Sequence, residues 1–192
     1  KCRQDRPCIT IDLSKLHIDV LPALRHAGAL SIPDSSLTHW IFTDPKTHNL
    51  NFSDLDRRCN YKAKDIVKAV KRWNNDRDLP LPSFQIEVIA CYIFNLFTFK
   101  NAEEGVRLWF DHAEGYLTQE MTGSYNKFEK VRDAIRATKK RINEAKAYTD
   151  DGKPADAIKI WKEIFRTDFP TVDVNEARSF GKAINEGSLK WS

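Results

Sequence analysis

The residues that could do chemistry near the start of the chain lie in a short apolar stretch, LHIDVLPAL at 16–24. Apolar and polar residues alternate there, which predicts a strand, and Pro22 ends that strand because proline cannot donate to a ladder. The preceding stretch CITIDL alternates in the same way, so residues 14–15 would join the two as a hairpin. This register places four polar residues on one face: Thr10, Asp12, His17 and Asp19. From residue preferences alone, a lone carboxylate such as Asp19 is an ordinary solvent-facing group.

A second set of polar residues accompanies a predicted amphipathic helix in the middle of the chain. Apolar residues recur from Ala63 to Trp73 at the spacing of one helix face. Lysines follow another side of this helix: Lys64, Lys68 and Lys71. After the turn-rich stretch NNDRDLPLP, the stretch SFQIEVIACYIFNLF is apolar nearly all round, which predicts a helix buried at the centre of a helical domain. Ser83 follows Pro82 directly and can cap the first turn of that helix.

The composition is typical of a soluble globular chain. The 192 residues are 41% hydrophobic and 30% charged, which is enough for a core and argues against disorder. The net charge of +4 permits anionic partners without indicating a dedicated nucleic-acid binder. Four cysteines without paired spacing predict reduced thiols in a cytoplasmic protein. No bilayer-spanning run or signal peptide is recognisable, so no membrane partner is expected, and the abrupt start KCRQDRPC suggests a fragment.

The remaining stretches predict further helices and two irregular segments. Residues 25–60 are rich in turn-forming residues, and we expect a connecting loop region there. Helical spacing of apolar residues predicts three more helices, around 106–113, 128–145 and 157–165. Residues 127–146 hold eight Lys or Arg against three Asp or Glu, so the exposed side of the long helix is basic. Beyond Pro170 the pattern is weak, and a partly ordered tail is expected.

No stretch forms a self-contained catalytic motif, since glycine-rich phosphate loops, HExxH and a nucleophile elbow are all missing. Five stretches nevertheless follow one another in an informative order: ITIDLSKLHIDVLPAL, SIPD with HWIFTDPKTH, DIVKAVKRWN, LPSFQIEVIA and AIKIWKEIFRTDFP. In this order they resemble the second half of bacterial nucleotidyltransferases of the oligoadenylate-synthase and cGAS/DncV-like group (CD-NTases), within the polymerase-beta superfamily. The resemblance implies synthesis of cyclic or linear oligonucleotide second messengers from nucleoside triphosphates, in anti-phage signalling.

The resemblance implies a catalytic role for Asp19. In this group three acidic residues hold two magnesium ions, two of them in a D-x-D unit after a Gly-Ser helix start and the third on a later strand that ends in proline. IDVLPA matches that strand, so Asp19 matches the third carboxylate, a ligand type that magnesium prefers. TGSYNK is followed by no D-x-D at the needed distance, and DLD and DRD lack a preceding Gly-Ser helix. We therefore expect that the chain lacks the N-terminal half of its catalytic domain and two of its three metal carboxylates, is inactive alone, and binds no cofactor tightly.

The same resemblance assigns Lys71 and Ser83 to the triphosphate of the donor nucleotide. In this group a lysine two residues before an aromatic, and a serine at the start of the following buried helix, hold that triphosphate. Lys71 before Trp73 and Ser83 in PSF match these positions, and Lys68 is the alternative if the alignment is displaced by one turn. A compact ammonium and a hydroxyl at a helix N-terminus both suit phosphate. The competing interpretation is that Lys71 is one of three solvated lysines and that Ser83 only caps its helix.

Two further residues allow simpler interpretations. Trp40, in the expected loop, could stack on a base, but a loop tryptophan more often pins its loop to the domain. Glu87, in the first turn of the buried helix, is explained by compensation of the helix dipole.

Two alternatives belong to other functional classes. AKAYTDDGKPADAIKIWKEIFRTDFP resembles one degenerate tetratricopeptide hairpin, which would make the chain a protein-interaction module, although solenoids need about three such units. The basic long helix could instead bind duplex nucleic acid, and the activating partner could be such a duplex or a protein.

The predicted fold is mainly α, with a short N-terminal β-hairpin and a bundle of about five helices. Its predicted segments are a remnant hairpin at 1–24, the connecting loop region at 25–60, a helical C-terminal domain at 61–170 and a tail at 171–192.

Overall fold

The structure is a computed structural model that describes residues 2–5, 8–14, 16–26, 29–33 and 37–166. Its strands are short and precede its helices: β1 Cys2–Asp5, β2 Cys8–Asp12, β3 His17–Val20, β4 Leu24–His26, β5 Ala29–Pro33 and β6 Trp40–Thr43. The helices are α1 Pro45–Arg58, α2 Ala63–Asn75, α3 Ser83–Leu96, α4 Ala102–Tyr116, α5 Gln119–Thr122, α6 Tyr125–Asp150 and α7 Pro154–Phe165. This order confirms a mainly α fold with antiparallel strands at its start.

The first three strands form an antiparallel sheet in the order β1-β2-β3. β2 and β3 make the predicted hairpin, and a 2.8 Å backbone hydrogen bond from Leu13 N to Leu16 O closes its turn. The register is the predicted one, with Thr10 opposite Asp19 and Asp12 opposite His17. β1 was not predicted, because its sequence CRQD has no apolar alternation, and its pairing makes β2 the central strand.

Residues 25–60 contain regular structure, so the prediction of a connecting loop region is wrong. β4, β5 and β6 form a second antiparallel sheet in that order, and α1 follows directly. The turn-forming residues mark the ends of these short elements, since Pro33 ends β5 and Pro45 begins α1. Asp44 caps α1 by accepting hydrogen bonds from Thr47 Oγ1 at 2.7 Å and Thr47 N at 3.1 Å, and these bonds lower the pKa of its carboxyl.

The chain divides into two compact units, Lys1–Asn51 and Phe52–Ser192. The first unit contains both sheets, and the second contains the helices from α2 onward. The predicted tail at 171–192 lies outside the described residues. Among the described helices, none combines the length and apolar character needed to cross a bilayer.

The core of the helical unit is built from the apolar faces that helical spacing predicts. In α2 the buried residues include Ala63, Ile66, Val67, Val70 and Trp73, and in α6 they are Val131, Ile135, Thr138, Ile142 and Ala145. The indole N–H of Trp73 donates to Thr138 Oγ1 at 3.1 Å, which joins α2 to α6 inside the core. α6 also packs against α4, α5 and α7, so its hairpin with α7 belongs to the bundle.

α3 is buried on one side only. It packs against α2 and α4 with Ile86, Ile89, Ala90, Ile93 and Phe94. Outside this buried face Phe84 and Leu96 are 53% and 69% exposed, and Tyr92, whose ring stacks on Tyr116 of α4, is 54% exposed. The prediction of a helix buried all round is therefore wrong, because these three apolar side chains are at least half exposed.

Candidate functional site

Asp19 lies on β3, an edge strand of the first sheet, and its side chain is exposed. Its Oδ1 accepts a hydrogen bond at 2.7 Å from the hydroxyl of Thr10, which is buried in the neighbouring strand. An ionised carboxylate has about four acceptor positions, so this bond leaves most of them to other groups. The carboxylate of Asp19 is therefore fixed by a hydrogen bond from Thr10 and remains exposed to solvent.

The described residues do not form a metal centre by themselves. Within this part of the chain, no three His, Cys, Asp or Glu side chains come together where they could share a metal ion. Magnesium is held through several oxygens, and two magnesium ions need several carboxylates. Asp19 alone does not fit a two-metal site, and any such site would need ligands from outside this set.

The connection between α2 and α3 is held by buried groups, and it sets how the two helices meet. Asn74, near the end of α2, donates from Nδ2 to the backbone oxygen of Leu81 at 3.0 Å. The backbone N–H of Leu79 donates to Asn74 O at 3.0 Å, and both leucines are buried in the core. These contacts place the start of α3 beside the end of α2.

Lys71 forms an ion pair across these two helices. Its ammonium contacts Oε1 of Glu87, and the two side chains are 28% and 23% exposed. Lys71 directly follows Val70, so it stands at the border of the buried face of α2. Sequence reasoning missed this pair because the partners are 16 residues apart on different helices. The assignment of Glu87 to first-turn dipole compensation is wrong, since the first turn of α3 has no acidic residue.

Ser83 is the first residue of α3 and does not cap it, contrary to the prediction. Pro82 occupies the cap position, where no side-chain cap hydrogen bond is made, and its carbonyl accepts from Gln85 N at 2.9 Å. Ser83 is exposed, at a helix end whose positive dipole no first-turn acid compensates. Glu87 follows Ser83 by four residues, so the two lie on the same side of α3, about 6 Å apart along the axis. Lys71, which contacts Glu87, is thereby brought to the side of α3 that carries Ser83.

The other lysines of α2 have partners elsewhere. Lys68 is well exposed and lies 3.4 Å from Asp65 Oδ1 within the same helix. Lys64 Nζ lies 3.7 Å from Oδ2 of Asp56, a buried residue of α1. Lys71 differs from both because its partner belongs to α3, near the start of that helix.

Trp40 lies on β6 and not in a loop, opposite Pro33 of β5. Its side chain is about half exposed, at 53%. A half-exposed indole keeps surface that a nucleobase could cover, so stacking by Trp40 stays a prediction.

The basic side of α6 is largely neutralised by neighbouring carboxylates. Ion pairs involve five of the eight basic residues in 127–146: Arg132, Arg136, Lys139, Arg141 and Lys146. Several of their partners belong to α4 and α7, namely Asp111, Glu114 and Glu163. Because these basic side chains pair with carboxylates of their own or neighbouring helices, they attract the phosphates of a duplex less strongly than their number in the sequence indicates. Binding of duplex nucleic acid by this helix stays a prediction that the geometry does not favour.

Comparison with known proteins gives relatives along most of the chain. No family model matches it. A probable cyclic nucleotide synthase of Bacillus cereus strain VD146 is 23% identical in an alignment of 187 positions that covers 88% of this chain and 56% of that protein. A cyclic AMP-AMP-AMP synthase of Acinetobacter sp. strain ATCC 27244 / 9458 is 24% identical in an alignment of 193 positions that covers 86% of this chain and 54% of that protein. The chain thus spans about half the length of the curated relatives it matches.

The fold has a counterpart among solved structures. CdnC of E. coli MS115-1, in a structure described as CdnC with ATP, superposes with a TM-score of 0.71 at 14% identity. The match covers 88% of this chain and 66% of CdnC, which is a CD-NTase. The chain is therefore similar in sequence to cyclic nucleotide synthases and has the fold of a CD-NTase, which confirms the resemblance seen in its motifs.

Proposed function

We propose that this chain is part of a nucleotidyltransferase that joins nucleoside triphosphates into cyclic or linear oligonucleotides, and that its helical unit holds the donor triphosphate through Lys71 and Ser83. The observation that carries the proposal is the contact of Lys71 with Glu87. Glu87 lies one turn after Ser83 on the same side of α3, so this contact brings Lys71 to the side of α3 that carries Ser83. The names of the two relatives and the ATP in the CdnC structure support the choice of nucleotides as ligands.

The two residues suit different parts of this task. The ammonium of Lys71 is a compact charge with three donors, which follows a flexible polyphosphate without demanding one geometry. Ser83 adds a hydroxyl donor at the N-terminal end of a 14-residue helix, where the dipole favours anions. Positive groups on the polyphosphate also stabilise the negative charge that gathers on it as it leaves.

Asp19 is proposed as one carboxylate of a magnesium site that needs further ligands. We expect the purified 192-residue chain to form no oligonucleotide from ATP, GTP and magnesium, because one carboxylate does not hold two magnesium ions. Chromatography coupled to mass spectrometry would reveal any product, and a product from this chain would contradict the expectation. The wider role, signalling against phage from the cytoplasm, is proposed on the resemblance alone.

Nucleotide binding by the 192-residue chain tests the proposal. Calorimetry with ATP should give an affinity that K71M lowers by about tenfold, the effect of one lost charge-assisted hydrogen bond. S83A should lower it by a smaller factor, because a neutral donor contributes less. K68M is the matched control, since Lys68 lies on the same helix and pairs with Asp65. Equal effects of K71M and K68M would refute the assignment of Lys71.

A further inference from the structure

The ion pair of Lys71 and Glu87 changes what Lys71 can offer to an anion. Both side chains are less than a third exposed, so their attraction is screened less than that of a surface pair. The intact pair has no net charge. An anion that approaches Lys71 therefore meets an ammonium that is already neutralised, together with a carboxylate that repels it.

Glu87 also lies beside the other residue proposed to bind the triphosphate. It follows Ser83 by one helical turn on the same side of α3. Its negative charge also acts on the residue one turn further along that side. Cys91, four residues beyond Glu87, shows this: burial raises the pKa of its thiol, and the charge of Glu87 raises it further. An anion seated between Ser83 and Lys71 would thus lie next to the carboxylate of Glu87.

We propose that Glu87 competes with the donor triphosphate for Lys71, so that nucleotide binding breaks the Lys71–Glu87 ion pair. This inference rests on the proposed function of Lys71 and Ser83. Without nucleotide, Glu87 holds the ammonium at the surface of α2 and α3. A triphosphate carries more negative charge than one carboxylate and takes the ammonium from it. When the anion dissociates, the Lys71–Glu87 ion pair forms again. The competition from Glu87 keeps the affinity of the site for the triphosphate low.

The test measures binding of inorganic tripolyphosphate to the 192-residue chain by calorimetry at fixed ionic strength. E87Q should tighten binding by about tenfold, because the ammonium is no longer shared with a carboxylate. In a K71M background the same E87Q change should alter affinity by less than about twofold. D65N is the control, since it removes one negative charge from the Lys68–Asp65 pair on the same helix, and it should also change affinity by less than about twofold. Circular dichroism melting checks that all variants fold.

The outcomes separate this inference from the proposed function. If K71M weakens binding while E87Q leaves it unchanged or weakens it, the pair is structural: the inference fails and the proposed function stands. If E87Q tightens binding equally with and without Lys71, the carboxylate only repels the anion, and the competition is refuted. Tightening by D65N instead of E87Q would assign the phosphate to Lys68 and overturn both. Failure of every variant to bind tripolyphosphate would also overturn both.

Discussion

Replacing Asp56 by alanine should destabilise α2, the helix that carries Lys71. Asp56 belongs to α1 and is 3% exposed, and its Oδ1 accepts from the backbone N–H of Lys64 at 3.0 Å. The cap position of α2 is Lys62, which has helical dihedral angles and makes no side-chain cap hydrogen bond. Asp56 therefore supplies from another helix the acceptor that a local cap residue usually provides.

The expected loss follows from these contacts. Removal of a helix cap costs about 0.5–2 kcal/mol, and the buried position of Asp56 places its loss at the upper end of that range. D56A should thus lower the free energy of unfolding by about 2 kcal/mol, or the melting temperature by about 4–8 °C for a chain of this size. D56N keeps an acceptor oxygen and should lose less than half of this.

Urea denaturation followed by tryptophan fluorescence measures the effect, since Trp73 of α2 is fully buried. D54A is the matched control because Asp54 lies on the same helix, is well exposed and pairs with Arg57 at 3.2 Å. Exposed pairs of this kind contribute about 0.5 kcal/mol or less. A D56A variant as stable as D54A would refute the role of Asp56 as a cap from another helix.

Three further predictions concern single groups. Thr138→Val keeps the shape of the side chain but leaves the indole N–H of Trp73 without its acceptor, so the free energy of unfolding measured in urea should fall by about 1–2 kcal/mol. Burial raises the pKa of the Glu103 carboxyl above its usual 4.5. The folded state therefore binds the carboxyl proton more tightly than the unfolded state does, and the folded state loses stability as the pH rises from about 4.5 through the raised pKa. E103Q should therefore gain more in melting temperature over the native chain at about pH 7 than at about pH 4; an equal gain at both would contradict this. E87Q should speed alkylation of Cys91, measured by mass spectrometry, because it removes a charge that raises the pKa of that thiol; an unchanged rate would exclude this influence of Glu87.

The helices from α2 onward, apart from the four-residue α5, could be predicted from the sequence because their signal is local. Apolar residues of α2 and α6 recur at helical spacing, and those residues are the ones that the structure buries. The short strands between 24 and 43 could not be predicted in the same way. Their turn-forming residues lie at the ends of elements of three to five residues, and pairing between strands decides their structure.

The candidate site could also be predicted only in part. The hairpin alternation placed Thr10 opposite Asp19, and the structure joins them by a hydrogen bond. The partner of Lys71 could not be predicted, because Glu87 meets it only through the packing of α2 on α3. The spacing of residues predicts neighbours on one helix, whereas contacts between helices depend on how the core packs.

The hydroxyl of Thr10 has a consequence for whatever Asp19 meets. A solvent-exposed aspartate ordinarily samples several rotamers, and a ligand must freeze one of them at an entropic cost. Here a buried side chain on the adjacent strand already selects one rotamer of Asp19. The carboxylate is thus preorganised on its strand. A Thr10→Val change would let the Asp19 side chain rotate freely again without changing its charge.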